Sequence, residues 1–457
     1  MRQPEPITVL TIAISDFCAL VLSFMSAYFL RSLFPGHLPF DLYLKMLPLL
    51  LFFMPLYASL RLYPGLLLGG PESLRRLSTA TTVGTLFLSG LLFVGQFGEM
   101  YSRFVLVFFW LLALLLVPLF RCLTQRLCGH FAWWGYPVLL MGRANLTDLL
   151  RKHLRSTPAL GYKCVGVFNI DEPNGTLASE LMAASTKKYP LLTAALIMNG
   201  LDKTEQKELF RLANSYCKRI IVLPDEAFNI KLSVKLAMFC SHITLSMRQN
   251  LLDPYRLHMK RFLDLLLVLL FALPLLPVMT FIYLAVRLDS KGPGFYRHTR
   301  IGQHGQEIKI WKFRTMRHNA DKILPVYLNK EPQLQAEWLL KQKLEYDPRI
   351  TRIGQCLRKT SLDELPQIFN VFTGEMSLVG PRPITRNEIE KYGEAFELYK
   401  QVRPGITGLW QVSGRNNVSY DTRVALDETY IANWSIWLDI YILARTAPAA
   451  ITGNGAY

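Results

Sequence analysis

Four long apolar runs fill the first 120 residues of this chain and dictate the solvent in which that part can fold. Ile7–Leu30 is apolar apart from Asp16, and Leu42–Leu60, Leu77–Phe97 and Phe104–Phe120 follow at short intervals. The last three are about 17–21 residues each, within the range of a helix that crosses a bilayer. Basic residues set the orientation. Arg61, Arg75 and Arg76 lie between the second and third runs, and Arg121 and Arg126 follow the fourth, whereas Arg31 and Arg103 stand alone in the other two loops. The consistent solution is four helices with both ends cytoplasmic. Asp16 inside the first run reads equally as a functional group or as an acid packed between helices, and it is assigned no role.

The 457 residues have room for two or three domains. A hydrophobic content of 51 % and a mean hydropathy of +0.22 exclude a wholly soluble enzyme. Met1–Pro6 is short and polar, without a signal-peptide pattern. Cys18, Cys122, Cys128, Cys164, Cys217, Cys240 and Cys356 form no CxxC pair, which argues for reduced thiols rather than zinc or disulfides. A net charge of +17 suits anionic lipid or a phosphorylated substrate. Nucleic acid is the weakest match, since no RNP, helix-turn-helix or zinc-finger pattern is present.

From Tyr136 strands alternate with helices. Pro137–Met141, Tyr162–Asn169, Ala194–Met198 and Arg219–Leu223 read as strands, and Asn145–Leu154 and Thr204–Cys217 as helices, which predicts a small parallel α/β unit. Only Gly142 stands where a dinucleotide fingerprint needs three glycines. A regulatory or dimerisation module is the better expectation.

Arg261–Arg287 is again long enough to span. Basic residues flank it on both sides (Lys260-Arg261, then Arg287 and Lys291), and Pro274 and Pro277 sit at its middle. Proline removes a helix donor and bends the axis. A spanning helix and a broken helix that returns to the same face are both compatible with these residues.

Beyond it, Ile308–Phe313 reads as a strand, and the region to Asp427 interleaves Lys312, Arg314, Arg317, Arg349, Arg352, Arg358 and Lys359. At Arg358-Lys359-Thr360-Ser361-Leu362-Asp363-Glu364-Leu365-Pro366-Gln367 two adjacent carboxylates stand beside fixed positive charge. A capping box from Ser361 to Glu364 is the bland reading. It places Pro366 where a helix needs its N–H, so a functional reading is preferred, with the carboxylates at the positive end of a helix that starts later. Gly380-Pro381-Arg382-Pro383, Arg403-Pro404-Gly405-Ile406-Thr407-Gly408 and Gln411-Val412-Ser413-Gly414-Arg415-Asn416 then combine rigid turns with arginine, a way to hold guanidinium against phosphate.

Together, Lys260-Arg261…Asp264, Ile310–Met316, Thr360–Gln367, Met376–Pro383 and Arg403–Asn416 resemble the bacterial polyprenyl-phosphate hexose-1-phosphate transferases, the monotopic phosphoglycosyl transferases, in their long form. The resemblance covers about Lys260 to the C-terminus. It departs at Leu276, where the family often has serine.

The resemblance implies four N-terminal transmembrane helices (1–130), a degenerate Rossmann-like domain (136–250), and an α/β catalytic domain on the cytoplasmic membrane face (251–457). The last carries a re-entrant helix at 261–287, with Pro277 as its breaking proline. It further implies a ping-pong reaction. Asp363 attacks the β-phosphorus of a UDP-hexose, UMP leaves, and undecaprenyl phosphate takes the sugar phosphate. Glu364, with Asp363, holds Mg²⁺, which neutralises phosphate charge. Arg358, Arg382 and Lys312 meet the phosphates, Arg403 and Arg415 bind nucleotide or lipid phosphate, and Lys260, Arg261, Asp264, Pro274 and Pro277 face membrane lipids. A homodimer in the bacterial inner membrane, starting O-antigen, capsule, lipopolysaccharide or exopolysaccharide synthesis, is the expected setting. Galactose is favoured over glucose on length and the terminal Gly455-Ala456-Tyr457. A transporter and a nucleotide-binding regulator are the alternatives from other classes. Clustering of the polar motifs outside the apolar runs opposes the first, and the missing glycines oppose the second.

Overall fold

The computed structural model describes residues 6–35, 39–66, 68–96, 101–131, 133–156, 161–171, 193–217, 219–223, 234–239, 242–247, 251, 254–317, 320, 347, 349–414 and 418–452. Arg415 and Gly455-Ala456-Tyr457 lie outside them. The chain divides into two compact units, Met1–Asn229 and Ile230–Tyr457.

The first unit opens with helices α1 (Pro6–Ser32), α2 (Phe40–Leu44), α3 (Phe53–Ser59), α4 (Gly70–Val94) and α5 (Arg103–Cys128). Between α2 and α3 lies a 3₁₀ turn, Leu47–Phe52, with Pro48 near its start, so the second apolar run is not one α-helix. Basic residues expected outside the apolar runs lie within helices instead. Arg75 and Arg76 sit in the first turns of α4, both bonded to Glu72. Arg121 is buried inside α5, where it pairs with Asp16 of α1 and donates to Leu62 O at 3.1 Å. An arginine enclosed by helices needs a counter-charge, and Asp16 supplies it. By length and composition α1, Phe40–Ser59, α4 and α5 are candidate membrane spans, and so is Tyr255–Asp289 in the second unit.

Strands β1 (Tyr136–Gly142), β2 (Tyr162–Asn169), β3 (Thr193–Ile197) and β4 (Arg219–Leu223) form one sheet in the order β2-β1-β3-β4, parallel throughout. Helix α6 (Ala144–Ser156) follows β1, and α7 (Lys203–Tyr216) joins β3 to β4. Asp202 starts α7 as a capping box, its carboxylate taking the amides of Thr204 and Glu205. The Ala144 amide at the start of α6 donates to Asp171 Oδ2 at 3.2 Å, so the chain's own carboxylate meets that helix end.

The second unit begins with an antiparallel hairpin, β5 (Val234–Phe239) and β6 (His242–Met247). Helix α8 (Pro254–Asp289) follows and runs as one element through Pro274 and Pro277. Both of its arms pack on the same layer. Val268 joins a cluster with Ile310, Val371 and Met376, while Met279, Ile282 and Val286 join Phe313 and Leu357; Ile368 borders both clusters. Between Val268 and Met279 no residue is buried, and Leu273 reaches 80 % exposure. The hairpin β7 (Phe295–Ile301) and β8 (Glu307–Phe313) follows, then α9 (Arg352–Lys359), a 3₁₀ turn at Leu362–Gln367, and α10 (Ile368–Thr373). Strands β9 (Ser377–Val379) and β10 (Gly405–Thr407) pair in parallel, and α11 (Leu409–Val412), α12 (Tyr420–Ala432) and α13 (Ile436–Thr452) close the unit.

Candidate active site

The Asp-Glu pair lies on the 3₁₀ turn, and its apolar neighbours explain which way the carboxylates face. A 3₁₀ helix repeats every three residues, so Leu362, Leu365 and Ile368 share one side. All three pack beside Met279, Phe313 and Leu357. Asp363 and Glu364 are left for the other side, toward β8. Ser361 precedes the turn in the left-handed region (φ 57°) and makes no side-chain cap bond, so there is no capping box here. Pro366 sits at the end of this tighter turn, just before the helix restarts at Ile368.

Buried Asn370 of α10 fixes the pair against the hairpin. Its Oδ1 accepts from Trp311 N at 2.9 Å, and its Nδ2 donates to Lys309 O and to Glu375 Oε2. Lys312 on β8 then reaches both carboxylates, with Nζ 2.6 Å from Glu364 Oε1 and 3.9 Å from Asp363 Oδ2. Two residues on, Arg314 donates to Ser290 O and Oγ just past the end of α8. Thr315 Oγ1 accepts from Arg358 Nε at 2.9 Å. The segment Lys312–Thr315 thus ties the hairpin, α8 and α9 to one point.

The two carboxyls differ in character. Burial pushes Asp363 up to about 6, with the neighbouring Glu364 charge adding to this and Lys312 and Arg358 opposing it. Burial also works against Glu364, but Lys312, Arg382 and Arg300 outweigh it and hold that carboxyl below its ordinary range. A carboxyl that titrates near neutrality beside a firmly ionised partner is the arrangement that results. Among the described residues no group of three or more His, Cys, Asp or Glu side chains converges. The donors available to a cation are two carboxylates, and Glu364 Oε2 has no hydrogen-bond partner among the described residues. That set fits Mg²⁺, which uses one or two carboxylates and completes its shell with water and substrate phosphate.

The arginine loops meet through β9 and β10. Gly380 N donates to Thr407 O, and Gly405 N to Pro381 O. A side chain on Gly405 would come within 2.1 Å of Gly380 N, so only glycine permits this approach. The two arginines diverge, however. Arg382 stacks on Trp410, 5.5 Å from the ring centre, and its charge acts on Glu364. Arg403 instead lines a cavity of about 290 Å³ with Arg261, Leu257 and Val402.

The residues expected at lipid headgroups have protein partners. Lys260 is buried, 2.7 Å from Asp439 Oδ2, because α13 brings that carboxylate to it; Tyr430 and Trp434 flank the ammonium. Asp264 is buried too and accepts from Ser377 Oγ and Leu378 N. Arg261 donates to the carbonyls of Val371 and Phe372 at the end of α10. Pro274 and Pro277 lie on the exposed middle of α8. Arg300 and His298 on β7 went unnoticed in the sequence. Their signal was alternation with Tyr296 on a strand facing the Ile308–Phe313 segment.

Residues 255–453 match the model of the bacterial sugar transferase family, and residues 70–194 match that of a CoA-binding domain. The chain is 36 % identical to the undecaprenyl-phosphate galactose phosphotransferase of Salmonella typhimurium over 375 residues, 78 % of this chain and 77 % of that protein. The chain belongs to the bacterial sugar transferase family. Other similar members are the UDP-galactose-lipid carrier transferase of Erwinia amylovora, at 35 % identity over 78 % of this chain and 76 % of that one, and the UDP-glucose:undecaprenyl-phosphate glucose-1-phosphate transferase of Escherichia coli, at 33 % over 70 % and 68 %. As a bacterial sugar transferase it is an enzyme, and Asp363, Glu364, Lys312, Arg358 and Arg382 all lie within the matched residues 255–453.

Proposed function

We propose that this enzyme transfers hexose 1-phosphate from a UDP-sugar to undecaprenyl phosphate, releasing UMP, with galactose as the sugar. The observation that carries the reading is the Asp363–Glu364 pair on its turn, with Lys312, Arg358 and Arg382 around it. An Asp363 oxygen bonds to the β-phosphorus as the bridging P–O bond breaks, and the electron pair leaves on the phosphate of UMP. An oxygen of the lipid phosphate then bonds to the same phosphorus, and the aspartyl–phosphorus bond breaks. Lys312 and Arg382 keep Glu364 ionised, and Arg358 stands on the Asp363 side. Mg²⁺ held by Glu364, with Asp363 beside it, would supply charge neutralisation at the phosphates.

The Arg261–Arg403 cavity, where Leu251, Leu257 and Val402 stand beside polar groups that include Lys260 and Asp264, suits a phosphate that carries an apolar chain. A re-entrant α8 is supported by its two arms packing on one layer and by the exposed stretch between Val268 and Met279. The helices of the first unit fit a multi-pass protein of the bacterial inner membrane with its catalytic unit cytoplasmic, acting first in O-antigen, capsule, lipopolysaccharide or exopolysaccharide synthesis. A homodimer through the first unit belongs to the same reading. Glucose is the second reading for the sugar, favoured by the similarity to the Escherichia coli glucose-1-phosphate transferase.

Intact-mass analysis of the purified chain mixed with UDP-galactose and Mg²⁺, lipid absent, tests the chemistry. A hexose-phosphate adduct on the Asp363 peptide is expected. UMP release that requires the lipid, with no adduct, would overturn the covalent route. Product analysis over a panel of UDP-sugars decides the sugar.

A further inference from the structure

Strand β7 carries two side chains that the reaction described above does not use. His298 and Arg300 alternate with Tyr296, and Tyr296 pairs across the hairpin with Lys312. Alternate residues of a strand, and residues directly opposite, leave the sheet on one face. His298 and Arg300 therefore share the face of Lys312. Arg300 is half-buried, with Nη1 2.6 Å from His298 Nε2 and 3.1 Å from Thr299 O. A guanidinium only donates, so His298 Nε2 accepts, and the neutral ring carries its proton on Nδ1. Burial, with Arg300 and Lys312 nearby, pushes His298 down to about 4, so the ring stays neutral at working pH.

Nη1 is thereby committed. Nε and Nη2, the parallel edge that matches two phosphate oxygens, have no partner among the described residues. The cations are also sorted along the carboxylate pair. Arg358 acts on Asp363, whereas Arg382 and Arg300 act on Glu364. In an in-line displacement the leaving group departs opposite the attacking oxygen, away from Asp363.

We propose that Arg300 binds the phosphate that leaves as UMP, and that His298 is the positioning residue that turns its fork toward that phosphate. The inference rests on the UDP-sugar reading above. As the bridging bond breaks, charge grows on the UMP oxygen, and a preset fork stabilises it without rearrangement.

Binding of UMP and of uridine to the full chain in lipid nanodiscs with Mg²⁺ tests this. Arg300→Gln should weaken UMP about tenfold or more and uridine less than about twofold. Arg300→Lys keeps the charge but lacks the fork, and should weaken UMP as well. Gln at position 298 sets an acceptor where Nε2 stood, so His298→Gln should retain UMP binding and His298→Leu should lose it. These two variants carry the test if Arg300→Gln does not fold. Unchanged UMP binding in Arg300→Gln, equal weakening of UMP and uridine, or equal behaviour of the two His298 variants overturns the assignment. A wild type that binds neither UMP nor UDP-galactose removes the underlying reading instead.

Discussion

Lys312 Nζ stands 2.6 Å from Glu364 Oε1 but 3.9 Å from Asp363 Oδ2, so one ammonium serves two carboxylates unequally. Its closer partner is held ionised, and its farther partner is left at about 6. In the proposed reaction Asp363 attacks phosphorus in its ionised form, so turnover should fall as pH drops through about 6. Lys312→Met removes a charge that lowers both carboxyls, and the acid limb of kcat/KM should move to higher pH. At pH 6 the variant should be slower by about tenfold or more. A pH–rate profile with an unmoved acid limb would remove Lys312 from this role.

Asp363→Asn keeps size and hydrogen bonding but loses the nucleophile, so turnover should drop by about three orders of magnitude or more. Glu364→Gln should also cripple turnover, by weakening Mg²⁺, and raised Mg²⁺ should restore part of it. Rescue of Asp363→Asn by Mg²⁺, or near-normal turnover, points to direct attack by the lipid phosphate.

The Lys260–Asp439 pair makes a prediction about stability. Removing Lys260 leaves the buried Asp439 with its Tyr430 and Trp434 donors but no counter-charge, so Lys260→Met should destabilise the fold by about 3–5 kcal/mol. Adding Asp439→Leu should recover much of it. Denaturant titration in detergent micelles reads both. A tenfold rise in KM for undecaprenyl phosphate with no loss of stability would return Lys260 to the lipid headgroups.

Single cysteines placed at His258 and Lys291 flank the apolar stretch 261–287 of α8. A helix that returns to its side of entry exposes both to one membrane-impermeant label on the cytoplasmic side. Labelling from opposite sides excludes the re-entrant helix.

A chain beginning at Leu251 contains every residue named in the chemistry. It should keep measurable transferase activity in membranes, reduced relative to the full chain. A folded, inserted truncation without activity would show that the earlier residues contribute to the site.

Much of this was legible in the sequence, because the signals were local. The four parallel strands announced themselves as short apolar runs, and Asp363-Glu364 stood out as paired acid in a basic chain. What escaped depended on distant partners. Nothing near Lys260 in sequence names Asp439, which is 179 residues away. The same applies to Arg121, read as a loop charge until α1 and α5 are packed together. The β5–β6 hairpin was missed because Val234–Phe239 and His242–Met247 are short and carry mixed polarity. His298 and Arg300 looked like ordinary strand surface, and only the pairing register with β8 brings them to Lys312.

Asp16 and Arg121 are 105 residues apart, and this separation constrains how the membrane part can be made. A lone carboxylate at the middle of a helix opposes partition into lipid by about 2.5–3.5 kcal/mol. During synthesis α1 emerges long before α5, so its acid has to wait for a cation not yet translated. The first helix should therefore be only conditionally committed to the bilayer until Arg121 arrives. Substitutions at either residue should register as failures of biogenesis, in insertion and turnover by quality control, before they register in the enzymology.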